Sequence, residues 1–136
     1  MAGRWAAALI AVCVISLSGC RDNVMACKPS PPPVQVDVTS LQPRTAMLRT
    51  CRNDQCHDFF ALSRLGERLS MASHSDLPAT LRLDVAVAGR IVQSYEIRDL
   101  TLREPSGKNC DPGESVILAP SPDGKLTVVT RYDTKR

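Results

Sequence analysis

The chain has 136 residues with seventeen Lys and Arg against fourteen Asp and Glu, a formal charge of +3, and only 4% aromatic residues. That length holds one domain with a proper core and not two. The near balance of charge, with no long run of one sign and few stacking rings, argues against a nucleic-acid groove and against polyanion binding.

The first stretch to read is the N-terminus. Met1 to Arg4 carries one positive charge, Trp5 to Leu17 is a run of thirteen mostly apolar residues without a charge, and Ser18-Gly19 supplies small side chains before Cys20. Such a run suits a signal-peptide core and is too short to cross a bilayer of about 30 Å as a permanent helix. No arginine precedes Arg4, so the twin-arginine route has no support. Leu17-Ser18-Gly19-Cys20 resembles the lipobox of bacterial lipoproteins. That resemblance implies cleavage before Cys20, a diacylglyceryl group on its thiol and attachment to a membrane, outside the cytoplasm. Two or three acyl chains anchor a protein effectively for good, where one gives marginal binding. The expected division is residues 1–19 as signal peptide with an N-terminal signal helix, 20–33 as lipidated cysteine and Pro-rich tether, and 34–136 as a folded domain.

Cysteine use agrees with export. The mature chain would keep Cys27, Cys51, Cys56 and Cys110 beside the lipidated Cys20. An even count in a small exported domain reads as two disulfides, with three connectivities possible. Spacing favours one. If Asn53-Asp54 is a two-residue turn, Arg52 and Gln55 close it, and Cys51 faces Cys56 at a non-hydrogen-bonded position. Such a pair has Cα atoms about 4.5 Å apart, within disulfide range. Cys27 and Cys110 are left to each other. A zinc site from these cysteines and His57 is the alternative, but no paired CxxC exists.

Past the anchor, four prolines in the five positions Pro29 to Pro33 favour polyproline II, a stiff spacer. Period two begins at Val34, where Val34, Val36 and Val38 alternate with polar residues. A turn is expected at Gln42-Pro43, and Arg44 to Cys51 with His57 to Leu62 should form the arms of the disulfide-tipped hairpin. Residues 63–79 read as a loop with one helical turn, because Leu62, Leu65 and Leu69 have helical spacing while Gly66 interrupts. His74 lies there among serines.

The clearest strand sets Leu81, Leu83, Val85 and Val87 on one face and Arg82, Asp84 and Ala86 on the other. Gly89-Arg90 should turn the chain into a partner running from Ile91, with Tyr95 and Ile97 facing inward. Leu100 and Leu102 fall on the opposite parity, and a bulge near Asp99 would restore them. Asn109, Asp111 and Glu114 gather oxygens around Cys110 without an EF-hand pattern. Val116 to Leu118, a turn at Pro122-Asp123-Gly124, and Leu126 to Tyr132 complete the chain, with Val128 and Tyr132 expected on one face.

Seven or so short strands at ten-residue intervals predict an all-β, antiparallel sandwich resembling immunoglobulin-like domains. The resemblance is architectural, since the only tryptophan is Trp5. The mature region also looks similar to small disulfide-bearing lipoproteins with a CxxxxC hairpin. Two function classes follow. A non-enzymatic binding or assembly module with an envelope protein partner suits the loops and edges of a sandwich. A small envelope hydrolase or metal-binding protein is the alternative, its chemistry drawn from His57 or His74 with Asp58, Asp76, Glu114 or a serine. No GxSxG, SxxK or HExxH is present, so no catalytic residue, cofactor or metal ligand is assigned.

Overall fold

The structure is a computed structural model and describes Cys27 and residues 29–133. The expected signal helix and Cys20 lie outside the described residues. Among the described residues no helix is long and apolar enough to cross a membrane.

The fold is an all-β sandwich of two packed sheets. One has the order β5-β1-β8-β9, built from β1 (Val34–Asp37), β5 (Arg68–Ala72), β8 (Glu114–Pro120) and β9 (Leu126–Asp133). The other has the order β3-β2-β6-β7, from β2 (Met47–Arg52), β3 (Gln55–Cys56), β6 (Ala79–Val87) and β7 (Arg90–Leu100), with β4 (Phe60–Ala61) also pairing β2. The inward rows interlock: Val34, Val36 and Val38 meet Leu48, Leu62, Leu81, Leu83 and Leu118, all fully buried. Period-two alternation in β1 and β6 is what places these side chains on one face, and burying a Leu or Val is worth about 1.5–3 kcal/mol each.

One pair departs from the antiparallel pattern. β1 runs parallel to β8, with Val34 opposite Val116 and Val36 opposite Leu118. Alternation fixes which face a strand buries and carries no information about the direction of its neighbour.

Several local expectations are met in detail. Asn53 and Asp54 both have positive φ, 47° and 69°, as a hairpin turn that matches strand twist requires. Arg52 pairs with Gln55 and Cys51 with Cys56. The bulge near Asp99 is present: Leu81 faces Ile97 while Ala79 faces Leu100, so an extra β7 residue is absorbed and Leu100 returns to the core. Asp99 has φ 50° there, and its N–H donates to the Thr80 hydroxyl.

Others are corrected. Residues 68–72 form β5, an edge strand on β1, where a loop was expected. Leu69 and Met71 sit at strand spacing inside a segment whose Leu62, Leu65 and Leu69 also fit a helix, and pairing with β1 decides between the two periods. Among the described residues the helical content is two 3₁₀ turns, Leu62–Arg64 and His74–Asp76. The β6–β7 turn is Ala88-Gly89, both at positive φ, so Arg90 already pairs with Val87. The second hairpin arm is broken into β3 and β4. Val128 and Tyr132 do not share a face, because Leu118 faces Val128 while Ile117 faces Thr130, leaving Val129 as a bulged residue between them.

Candidate functional site

The feature that alternation alone does not explain is Asp84. It sits on the outward row of β6, where a carboxylate would ordinarily be solvated, yet its side chain is 1% exposed. Register accounts for its company. On that face Arg49 of β2 and Ser94 of β7 flank Asp84, and Cys51 flanks Arg82. Asp84 Oδ1 accepts from the Ser94 hydroxyl at 2.7 Å and from Arg82 Nε at 2.9 Å. Its Oδ2 accepts from Arg49 Nη2 at 2.8 Å and Nε at 3.0 Å. The Phe59 ring lies over the Arg49 guanidinium, 4.8 Å from carbon to ring centroid.

A buried carboxylate is costly unless it is paired and hydrogen-bonded, and here both oxygens are satisfied. Burial pushes the Asp84 carboxyl up, and the hydrogen bonds from Ser94, Arg49 and Arg82 overcome that push to hold it below the usual carboxylate range. Among the described residues no buried side-chain nitrogen or oxygen lacks a partner.

The cluster extends to the disulfide at the hairpin tip. Arg82 Nη2 donates to Cys51 Sγ at 3.3 Å and to Cys56 Sγ at 3.5 Å, and its Nη1 is 3.8 Å from Asp54 Oδ1. Cys51 Sγ is 3.7 Å from Asp84 Oδ2. Cys51 is buried and Cys56 is exposed. The atoms of Cys51, Cys56 and Asp84 lie within 4.8 Å of one another, a spacing that would suit a metal. Both sulfurs are taken up by their mutual disulfide, with a Cα separation of 4.0 Å.

Cys27 and Cys110 form the second disulfide, Cα atoms 5.5 Å apart across 83 residues of sequence. The proline run is therefore held at both ends, at Cys27 and at β1, where the Pro33 carbonyl accepts from Val116 N–H. Pro31 and Pro32 line a groove with Pro112, Ile117 and Tyr132, so this stretch lies as a strap against the domain.

The Asp111 and Glu114 carboxylates near Cys110 are engaged by the protein itself. Asp111 accepts from Arg103 Nη1 at 2.6 Å and Nη2 at 2.9 Å, and from the N–H groups of Ser106 and Gly113. The Arg103 guanidinium holds the Asp111 carboxyl far below its ordinary range. Glu114 pairs with Arg131.

The histidines stand apart from any such cluster. His74 shares a hydrogen bond of 2.8 Å between Nε2 and the Glu114 backbone oxygen, not its carboxylate. Asp76 caps the turn through Ser73, whose backbone and hydroxyl lower its pKa, and it pairs with Arg52. His57 is exposed and contributes a backbone bond to Thr50. His74, Ser73 and Asp76 thus share one turn beside Glu114, with the His74 ring on a backbone oxygen and Asp76 on Ser73 and Arg52, while His57 lies on the disulfide hairpin. Arg49, Arg82, Asp84 and Ser94 are the group that sequence alone does not single out. Comparison with known protein families, curated proteins and solved structures finds no match to this chain.

Proposed function

We propose that the chain is a lipid-anchored bacterial envelope lipoprotein and that its sandwich is a non-enzymatic binding or assembly module, docking an extended segment of another envelope protein along β9. The observation that carries the docking half is the edge of β9. This strand pairs with β8 alone within its sheet and exposes Val128, Val129 and Tyr132. An edge of this kind offers unpaired backbone groups for strand addition, with side-chain contacts for selectivity. The two disulfides support an oxidising compartment, and Leu17 to Cys20 supports the lipid.

The reading is tested in intact envelopes with a photocrosslinking residue at Thr127 of β9. Capture of one defined protein, lost together with complementation when Val129→Glu and Tyr132→Glu are introduced, is the expected result, because charge on an edge strand blocks pairing. Undiminished capture in the charged variant rejects docking along β9. Palmitate label retained by Cys20→Ala rejects the lipoprotein half.

A further inference from the structure

The two disulfides occupy opposite chemical settings. Cys27–Cys110 closes a ring spanning 83 residues and ties the proline strap to the loop before β8. Cys51–Cys56 closes a ring of six residues at the tip of a hairpin that its own turn and register already define. By loop-closure entropy the small ring restrains the unfolded chain much less than the large one. β2 also keeps its full pairing with β6 on its other side. The short disulfide can therefore open without dismantling the sandwich.

Its surroundings are those of a reactive sulfur pair. Cys56 is exposed and Cys51 is buried, so an incoming thiolate meets Cys56 first. The sulfur that would be expelled, Cys51 Sγ, has the Arg82 guanidinium at 3.3 Å. The charged groups facing it are Arg82 and, through Asp84, Arg49, with Asp84 as the single close anion and Asp54 at the rim against Arg82. The two guanidinium groups thus balance the two carboxylates, and of the four only Arg82 reaches both sulfurs, at 3.3 and 3.5 Å. A nearby arginine favours thiolate over thiol, and a better-stabilised thiolate leaves faster.

We propose that Cys51–Cys56 is a thiol–disulfide exchange site that oxidises a dithiol partner, with Cys56 as the sulfur attacked and Cys51 as the leaving thiolate held by Arg82. A thiolate of the partner forms a bond to Cys56 Sγ; the Cys51–Cys56 bond breaks and its electron pair goes to Cys51 Sγ. The partner's second thiolate then attacks the mixed disulfide and releases Cys56. The partner loses two electrons and becomes a disulfide, the cysteine pair gains them, and of the two protons lost by the partner thiols one ends on Cys56 and the other passes to solvent, leaving Cys51 as the thiolate beside Arg82. The site depends neither on the lipid anchor nor on docking at β9.

The experiment takes the oxidised protein in graded mixtures of reduced and oxidised glutathione, quenches with acid and alkylating reagent, and maps the peptides by mass. Cys51–Cys56 should open under conditions that leave Cys27–Cys110 closed, and the glutathione adduct should sit on Cys56 with Cys51 alkylated. Arg82→Gln should slow opening roughly tenfold, with Arg82→Lys in between. In the reduced protein the alkylation rate of Cys51 should stay high to a lower pH in the wild type than in Arg82→Gln, a difference that loss of packing alone would not produce. A pair that opens no sooner than Cys27–Cys110, an adduct on Cys51, or unchanged rates in a folded Arg82→Gln each overturn the proposal. Should Arg82→Gln not fold, as judged by circular dichroism, adduct position and selectivity in the wild type decide alone.

Discussion

Arg49 of β2 places both Nη2 and Nε on a single oxygen of Asp84 in β6, at 2.8 and 3.0 Å, two residues directly opposite in the strand register. The pair turns the outer face of one sheet into a second, polar layer of structure. Ser94 and Arg82 complete the coordination of the carboxylate from the next strand and from two residues away.

Removing that carboxylate should be costly. Asp84→Ala leaves Arg49 and Arg82 half-buried without their acceptor, and the expected loss is about 3 kcal/mol. Asp84→Asn keeps the shape and one acceptor oxygen and should lose less. Urea unfolding of both variants checks the order; equal and small losses would mean that water replaces the carboxylate without penalty.

Acid should weaken the domain. Asp84, Asp76 and Asp111 are all held below the ordinary carboxylate range in the fold. Groups shifted this way bind protons more readily when unfolded, so their contribution is complete above about pH 5 and is lost progressively as the pH falls through about 4 toward the lower folded-state values. Midpoints of urea unfolding at pH 7, 5, 4 and 3 should therefore be level first and then drop. A midpoint that rose between pH 5 and 3 would contradict the sign of these shifts.

The disulfides should differ in weight. Replacing Cys27 and Cys110 with serine should cost about 4.6 kcal/mol, and the Cys51 and Cys56 pair about 2 kcal/mol, by the chain-entropy relation. Denaturation of the two double variants measures both, and the reverse order would sink the argument from ring size.

Gly113 is a position where side chains are excluded. It has φ +76°, and a Cβ there would sit 2.6 Å from the Arg103 carbonyl oxygen and 2.8 Å from Pro105 N, both backbone atoms. Gly113→Ala should lose at least about 2 kcal/mol, from strain and from displacing the loop that carries Cys110. By contrast Gly89→Ala meets nothing within 4 Å and pays only for its positive φ. Thermal melts of the two separate close approach from conformation.

Replacing His57 and His74 with Gln should leave complementation in a deletion strain nearly intact, since neither ring meets a carboxylate among the described residues. His57 is exposed, and His74 meets a backbone oxygen. A double variant that is stably made and yet inactive would give a histidine a chemical or charge-gating role.

Local chemistry settled much of this protein in advance. The turn at Asn53-Asp54, the Cys51–Cys56 pair, the inward rows of β1 and β6 and the bulge at Asp99 are all legible because each depends on a few neighbouring residues: a φ preference, a period of two, a parity that must be restored. The strand β5 was hidden, since its apolar residues fit two periods and only the edge of β1 chooses between them. Asp84 was hidden more deeply. Alternation correctly puts it on the outward row, beside Arg82, and from sequence that is a solvated face. What partners it is the arrival of Arg49 and Ser94 from 35 and 10 residues away, set by strand order and register, with the Phe59 ring over Arg49. A period of two tells a residue which way to point; only the neighbouring strands decide what it will touch, because those contacts are made across the sheet and not along the chain.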